Sequence, residues 1–324
     1  MSLRALLASD HEVAAVITRP PAPTGRGRGL KPSPVELLAR DAGIPVFTPT
    51  SARDPEFGAT LTAIKPAAAA VVAYGALLPP SILAIPTHGW VNLHFSLLPA
   101  WRGAAPVYAA IRHGDEITGA TTFRLEAGMD TGPVFGTVTE PIRPTDTTSD
   151  LLERLANSGA ELLRSTLDGV AAGALTPLPQ PRDGISYAAK VSVADAEIDW
   201  TDPAMAIDRA VRALTVEPGA WTTFRGQRFG VGPLEWSGLP AGELSPGQLM
   251  VGKRDVLVGS GTNPLRLGTV QPPGKRPMPA ADWARGVRPD PDERFVANQT
   301  VSRQTGREQP DRHQTVANQN GDPA

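Results

Sequence analysis

Three short apolar runs in the first hundred positions are the feature that most constrains the fold of this chain. They cover residues 13–18, 69–74 and 90–94, and in the first two the hydrophobic residues follow one another without polar alternation. Such runs are typical of strands buried on both faces of a parallel sheet. Between them, residues 34–42 predict a helix with Ser33 as its N-cap. The first half of the chain therefore predicts an α/β domain with a Rossmann-like, mostly parallel sheet.

The pattern changes after a long predicted helix that has Ser149 or Asp150 as its N-cap and ends at Gly173. Three prolines follow within ten residues, which is typical of a linker. Short β-like runs separated by Gly and Pro then predict a small barrel. Hydrophobic residues almost vanish from about 296 onward, which favours a disordered tail. The predicted divisions are a catalytic domain at 1–173, a linker at 174–190, a C-terminal barrel at 191–292 and a disordered tail at 293–324.

Composition excludes several classes of function. The chain has no cysteine, so disulfides, thiolate catalysis and zinc–sulfur sites are ruled out. A formal net charge of −2 does not drive the whole protein onto nucleic acid or membrane, so RNA contacts would need local basic patches. No apolar run approaches the length of a membrane span, and no metal-ligand cluster is visible. We therefore expect a cytoplasmic protein that has no membrane partner and binds no metal.

The densest signal along the chain is an Asn-x-His pair with a Ser-Leu-Leu-Pro segment after it. Asn92 and His94 end the third apolar run, residues 96–99 follow, and Trp-Arg-Gly comes at 101–103. Further on, Gly-Met-Asp-Thr-Gly occupies 128–132. Together these segments resemble the signature of enzymes that use 10-formyltetrahydrofolate as a one-carbon donor.

The spacing of the Asn-x-His pair makes physical sense for that chemistry. Residues two apart on a strand project to the same face, so Asn92 and His94 can reach one atom together. An amide and an imidazole can stabilise the oxyanion that forms when an amine attacks a formyl carbon. By resemblance, Asp130 is the third catalytic residue, and it orients the imidazole or relays protons through water. An isolated Asp in a Gly-rich turn is usually only a turn former, so this interpretation depends on the three residues occurring together in the family's order.

The resemblance also implies a site for the folate co-substrate. Residues after the third strand would line it, because open parallel sheets bind ligands at the carboxyl ends of their strands. A second stretch, after the run at 69–74, matches the part of the family that lies beside the folate pocket. The implied folate-binding residues are Ser96, Leu97, Leu98, Pro99, Tyr74, Gly75 and Leu78.

Several formyltransferases share this signature, and two further regions resemble methionyl-tRNA formyltransferases in particular. The glycine- and arginine-rich loop at 19–34 is similar to that family's tRNA-binding loop, in which mobile cations reach phosphates. The second half resembles its C-terminal domain, a barrel of oligonucleotide-binding type, which purine-pathway transformylases lack. The implied partner is initiator methionyl-tRNA, and the protein is expected to be a monomer. The implied tRNA-binding residues are Arg26, Arg28, Lys31, Arg209 and Lys275.

Two alternatives stay open at this point, together with one departure from the family. A sugar-nucleotide formyltransferase would also carry a C-terminal barrel, and a non-catalytic remnant could keep an RNA-binding surface. Family members begin with a strand and a Gly-Thr-Pro turn before the helix that matches residues 2–9. Without that strand, we expect unpaired backbone between the strands at 13–18 and 69–74, and a product that is poorly soluble or inactive.

Overall fold

The computed structural model describes residues 1–24, 29–215 and 217–296. Its α-helices are α1 (Ser2–Leu7), α2 (Pro34–Asp41), α3 (Pro55–Ile64), α4 (Pro80–Leu83), α5 (Pro106–His113), α6 (Thr148–Ala171), α7 (Ala204–Ala213) and α8 (Ala280–Val287), with a 3-10 helix at Ala194–Ala196. The strands of the first half are β1 (Val16–Ile17), β2 (Ala22–Thr24), β3 (Gly29–Lys31), β4 (Val46–Phe47), β5 (Ala69–Val72), β6 (Trp90–His94), β7 (Arg102–Gly103), β8 (Ile117–Arg124) and β9 (Val134–Pro141). The remaining strands are β10 (Tyr187–Ala188), β11 (Trp221–Phe224), β12 (Gln227–Val231), β13 (Leu234–Trp236), β14 (Leu249–Val251), β15 (Val256–Val258), β16 (Leu265–Leu267), β17 (Thr269–Gln271) and β18 (Met278–Pro279).

A four-stranded sheet in the order β5-β6-β8-β9 forms the centre of the first half. β5 and β6 run parallel, as the continuous apolar runs predict, whereas β8 and β9 join in antiparallel register. The antiparallel pair follows from its short connection, because parallel neighbours need a crossover of a dozen or more residues. Helix α6 packs on this sheet through buried side chains such as Leu163. The sheet is therefore parallel at the end that carries the Asn-x-His pair and antiparallel beyond it.

The strands β1 and β5 lie in separate sheets. Within the described residues, β1 pairs with β4 in a two-stranded parallel sheet, and β5 pairs with β6. The sequence predicts the same lack of pairing between these two strands. Among the described helices, none combines the length and the hydrophobicity that a membrane crossing requires.

The helix ends follow local side-chain chemistry. Ser33 caps α2 by accepting a hydrogen bond from the amide of Glu36, as predicted. The prediction for α6 was wrong, since its N-cap is Thr147 and not Ser149 or Asp150. Asp150 instead occupies the third helical position. Its carboxylate accepts a hydrogen bond from the Thr147 amide, and its own amide donates to the Thr147 hydroxyl, which completes a capping box.

The segment predicted as a linker makes regular backbone contacts with the first half of the chain. Leu178 forms a β-bridge with Val134, and β10 pairs in parallel with β7. Gly103 is required at that pairing, because a methyl group on its α-carbon would approach the Ala188 carbonyl oxygen to 2.6 Å. Residues 178–188 thus lie against the loops that follow β6 and β8.

The second half of the chain contains two four-stranded antiparallel sheets, ordered β11-β12-β17-β18 and β13-β16-β15-β14. No strand pairing joins these sheets into a closed barrel in the described part of the chain. Their shared core includes Phe295, which is 2% exposed and stacks on Trp200. The sequence prediction ended this domain at 292, and the structure carries its packing to residue 296. The rest of the predicted tail, 297–324, lies outside the described residues.

Helices α5 and α7 join the two halves. Arg112 donates to the Ala206 carbonyl at 3.1 Å, and the Thr148 hydroxyl donates to the Ala213 carbonyl at 2.6 Å. The Arg212 guanidinium is buried and donates to the Asp146 carbonyl at 2.9 Å. These hydrogen bonds fix the C-terminal sheets against the domain that carries the Asn-x-His pair.

Candidate active site

Strand β6 presents the predicted pair at its carboxyl end. Asn92 and His94 are two positions apart on this strand and project to the same face. The strand is held between β5 and β8, with Asn92 in register with Val71 and Phe123. Because β5 and β6 are parallel, the loops that follow both strands lie at the same edge of the sheet. The structure therefore brings the Asn-x-His pair and the loop after β5 to one edge, as the sequence predicts.

His94 is held by a backbone carbonyl. Its ring is 7% exposed, and its Nε2 lies 2.8 Å from the Trp101 carbonyl oxygen. A carbonyl can only accept a hydrogen bond, so the Nε2 atom carries the proton in this ring orientation. The Nδ1 atom of the neutral ring then carries no hydrogen and presents a lone pair. The single N–H of neutral His94 is thus already used, and only a protonated ring could donate to an oxyanion.

Asp130 faces that lone pair from the turn between β8 and β9. Its Oδ2 lies 3.8 Å from His94 Nδ1 and accepts a hydrogen bond from the Gly103 amide at 2.8 Å. Asp130 has a φ of 51°, a left-handed conformation that is uncommon for a non-glycine residue. The structure therefore brings Asp130 and His94 together from positions far apart in sequence, with a backbone amide fixing the carboxylate.

Burial and charge act in opposite directions on His94. Removal from water lowers the pKa of the imidazole below its ordinary value, and this effect is the larger. The Asp130 carboxylate and the Trp101 carbonyl raise the pKa of the same ring. The net shift is downward, so His94 is mainly neutral at pH 7 and its Nδ1 can accept a proton.

The loop at 96–99, predicted to bind folate, is supported from below by strand β8. The buried Thr121 hydroxyl donates to the Ser96 carbonyl at 2.6 Å and accepts from the Leu98 amide at 3.2 Å. Ser96 and Leu98 are themselves buried, whereas Leu97 and Pro99 are partly exposed. The inward side chains therefore shape the loop, and its partly exposed members are the ones that can meet a ligand.

The other predicted folate residues follow β5 at the same edge of the sheet. Tyr74 is half-buried, and burial raises the pKa of its phenol. Gly75 is exposed with a φ of 73°, and Leu78 is buried in a cluster with Phe57 and Trp90. Leu78 is thus a core residue in this structure, while Tyr74 and Gly75 lie beside the edge of the sheet that carries the Asn-x-His pair.

The predicted tRNA-binding cations that the structure describes lie on three different elements. Arg26 and Arg28 lie outside the described residues. Lys31 is exposed on β3, and Lys275 is exposed in the turn after β17. Arg209 packs its guanidinium over Gly114 at the end of α5, where a methyl group on the glycine would overlap it. Arg209 therefore belongs to the contact between the two halves of the chain.

Three contributors to the site were missed by sequence reasoning. They are the Trp101 carbonyl, the Thr121 hydroxyl and the side chain of Gln180, which donates to the carbonyls of Asp130 and Gly132. None carries a sequence signal, because a backbone carbonyl has no residue identity and each hydroxyl or amide reaches a distant segment. Gln180 and Arg102 also line a cavity of about 330 Å³ beside the Asp130 turn.

Comparison with known proteins decides the family. A model of the formyl transferase family matches residues 2–167, and a model of the formyl transferase C-terminal domain matches residues 190–288. A methionyl-tRNA formyltransferase of Acidothermus cellulolyticus is 58% identical over 309 residues, which covers 91% of this chain and 95% of that protein. A methionyl-tRNA formyltransferase of Thermobifida fusca is 61% identical over 295 residues, covering 91% of this chain and 94% of that protein. The chain belongs to the methionyl-tRNA formyltransferase family.

Solved structures agree on the fold of this family member. HypX from Aquifex aeolicus, solved with tetrahydrofolic acid, superposes with a TM-score of 0.58 at 19% identity. The match covers 77% of this chain but only 43% of that protein. The sugar 3N-formyl transferase WlaRD superposes with a TM-score of 0.59 at 16% identity over 82% of this chain and 92% of that one. At these identities the likeness shows the formyltransferase fold alone.

Proposed function

We propose that this protein transfers the formyl group of 10-formyltetrahydrofolate to the α-amine of methionine on initiator methionyl-tRNA, a step in the initiation of translation. The observation that carries the proposal is the high identity to methionyl-tRNA formyltransferases along nearly the whole chain. The sugar-nucleotide alternative has weaker support, since the sugar formyltransferase WlaRD is 16% identical. The Asn92, His94 and Asp130 geometry supports the same formyl-transfer chemistry.

The reaction needs one negative charge stabilised and one proton moved. Attack of the neutral amine on the formyl carbon gives a tetrahedral intermediate with an oxyanion and a positively charged nitrogen. The amide of Asn92, which has no side-chain partner among the described residues, donates to the oxyanion. His94 Nδ1 accepts a proton from the attacking nitrogen, and Asp130 stabilises the imidazolium that results. The protonated Nδ1 then gives its proton to the folate nitrogen as the carbon–nitrogen bond to folate breaks.

The second half of the chain supports binding of the RNA substrate. Its two antiparallel sheets are consistent with a barrel of oligonucleotide-binding type, a scaffold that tracks nucleic-acid backbone. Between 209 and 288, Lys and Arg outnumber Asp and Glu about two to one. We propose that exposed cations of this region, including Lys275, meet tRNA phosphates together with Lys31, Arg26 and Arg28. The proposed enzyme acts in the cytoplasm as a monomer.

A substrate comparison tests the proposed function. Purified protein should formylate methionyl-tRNA with 10-formyltetrahydrofolate and should leave dTDP-linked amino sugars unchanged. This activity would overturn the expectation that a chain without the family's first strand is inactive. The KM for methionyl-tRNA should rise steeply with salt, because each phosphate contact releases counterions. Lys31→Ala should raise this KM while the KM for folate stays constant, and Lys65→Ala, at the end of α3, serves as the matched control. A salt-independent KM for tRNA, or turnover of the amino sugar, would favour the sugar-nucleotide alternative.

The pH profile tests the proposed role of His94. Neutral His94 is the active form, so kcat should fall as the pH drops through the pKa of His94, which burial lowers from its ordinary value. Asp130→Asn removes a negative charge that stabilises the imidazolium, so it should lower this pKa further. The acid limb of the residual activity should therefore move to lower pH. The substrate amine titrates equally with both enzymes, so the difference reports on the protein, and an unmoved limb would contradict the proposed pairing.

A further inference from the structure

Gln180 lies in the stretch between the two family-model matches and uses its full hydrogen-bonding capacity at the candidate active site. Its Nε2 donates to the carbonyl oxygens of Asp130 and Gly132, each at 2.8 Å. Its Oε1 accepts from Arg102 Nε at 3.1 Å and from Arg102 Nη2 at 2.6 Å. A glutamine amide has two donor hydrogens and two acceptor lone pairs, so every one of them is engaged.

These contacts close a ring around the Asp130 turn. Arg102 is 7% exposed and directly precedes Gly103, whose amide donates to the Asp130 carboxylate. The ring therefore runs from Arg102 through Gln180 to the Asp130 backbone, and returns through the Asp130 carboxylate to Gly103. It holds both the main chain and the side chain of Asp130, a residue whose positive φ needs support from its surroundings.

The same segment also holds the other partner of His94. The Ser186 hydroxyl accepts a hydrogen bond from the Trp101 amide at 2.9 Å, and the Ser186 carbonyl accepts from the Arg102 amide at 2.9 Å. The peptide units on both sides of Trp101 are therefore tied to the segment 178–188. The Trp101 carbonyl and the Asp130 carboxylate, the two groups that face the His94 ring nitrogens, are thus fixed by a single stretch of chain.

We propose that Gln180, acting with Arg102, is a positioning residue that holds the Asp130 carboxylate at its working distance from His94. The segment between the two domains is then part of the catalytic apparatus and not only a connection. This inference rests on the proposed function, since it assigns Gln180 an effect on formyl transfer through Asp130.

Gln180→Met tests the inference, because methionine has a similar length and makes none of the four hydrogen bonds. We expect kcat to fall about 10- to 100-fold, the scale of a small displacement of a catalytic group, while the KM for each substrate changes less than about threefold. Gln248→Met is the matched control, since Gln248 is also half-buried and accepts one hydrogen bond, from the Ser245 amide. The control should keep wild-type kcat.

The pH profile separates positioning from general support of the fold. The charged group that faces His94 and acts on its pKa is Asp130 on the turn, whereas Asp115 and His113 contact the Trp101 indole instead. If Gln180 acts through Asp130, Gln180→Met should move the acid limb of kcat to lower pH, in the same direction as Asp130→Asn. The proposal would be overturned if Gln180→Met lowered the melting temperature but left kcat and the acid limb of its pH profile unchanged.

A double-mutant comparison completes the test. In an Asp130→Asn background, Gln180→Met should have almost no further effect on kcat, whereas an independent additional loss would overturn the inference. If Gln180→Met does not fold, Gln180→Glu replaces it, because the carboxylate keeps the contact with Arg102 and loses only the two donors. Gln180→Glu should then show the same loss of kcat, and wild-type kcat in this variant would overturn the inference. Wild-type kcat in Asp130→Asn itself would instead refute the catalytic role of Asp130, whereas a wild-type protein that does not formylate methionyl-tRNA would refute the proposed function.

Discussion

Replacing His94 with alanine is expected to lower kcat by about 10²- to 10⁴-fold, with a much smaller change in the KM for either substrate. One nitrogen of the imidazole is hydrogen-bonded to a backbone carbonyl and the other faces a carboxylate. The ring can therefore accept a proton, and the carboxylate would stabilise the imidazolium that forms. That interaction develops as the amine attacks, and it is weak in the ground state. Loss of such an interaction reduces kcat and kcat/KM together.

Steady-state assays of the His94→Ala protein with methionyl-tRNA and 10-formyltetrahydrofolate measure this effect. His88→Ala is the matched control, because His88 is exposed in the loop before β6, and it should keep activity within about twofold. Asn92→Ala should lose about 10²- to 10³-fold, the scale of one oxyanion donor. A folded His94→Ala protein with near wild-type kcat would exclude His94 from the chemistry.

Local sequence patterns predicted the parts of this site that depend on neighbours in the chain. The apolar run at 90–94 matches β6 to the residue, and the Ser33 cap of α2 is confirmed. The Asn-x-His spacing determines that both side chains share a face, because the strand period is two. Family order then joined Asp130 to the pair, and the structure brings its carboxylate to 3.8 Å from the imidazole.

Contacts between distant segments could not be predicted in this way. Gln180 lies 50 residues from Asp130 and 78 from Arg102, in a proline-rich stretch whose composition indicates a linker. Its role depends on the path of the backbone around the turn, and no periodicity encodes that path. The sequence did not predict the position of Arg209 for a similar reason. A surface cation and a cation packed on the glycine of another helix end look the same in sequence.

Composition places the end of the C-terminal domain at 292 because polar residues surround its last aromatic side chain. Phe295 is 2% exposed and lies 5.2 Å from the ring of Phe229 and 5.6 Å from that of Trp200. Its amide also donates to the Gly247 carbonyl at 2.8 Å, which anchors the segment beside β14. Nearby, Arg225 forms two hydrogen bonds to the Glu293 carboxylate and lowers the pKa of that carboxyl to about 2. Residues 293–296 therefore complete the core of the second half.

Phe295→Ala is expected to destabilise this half of the protein by about 3–5 kcal/mol, the usual cost of removing a fully buried phenylalanine. The loss combines transfer of the ring to water with the cavity left among Trp200, Phe229 and Trp283. Urea unfolding followed by tryptophan fluorescence measures it directly, because two of those neighbours are tryptophans. Val296→Ala, at a position that is 43% exposed, is the matched control and should cost less than about 1 kcal/mol. Equal effects of the two substitutions would mean that the ring of Phe295 does not support the core, and that the domain ends at 292 as its sequence suggests.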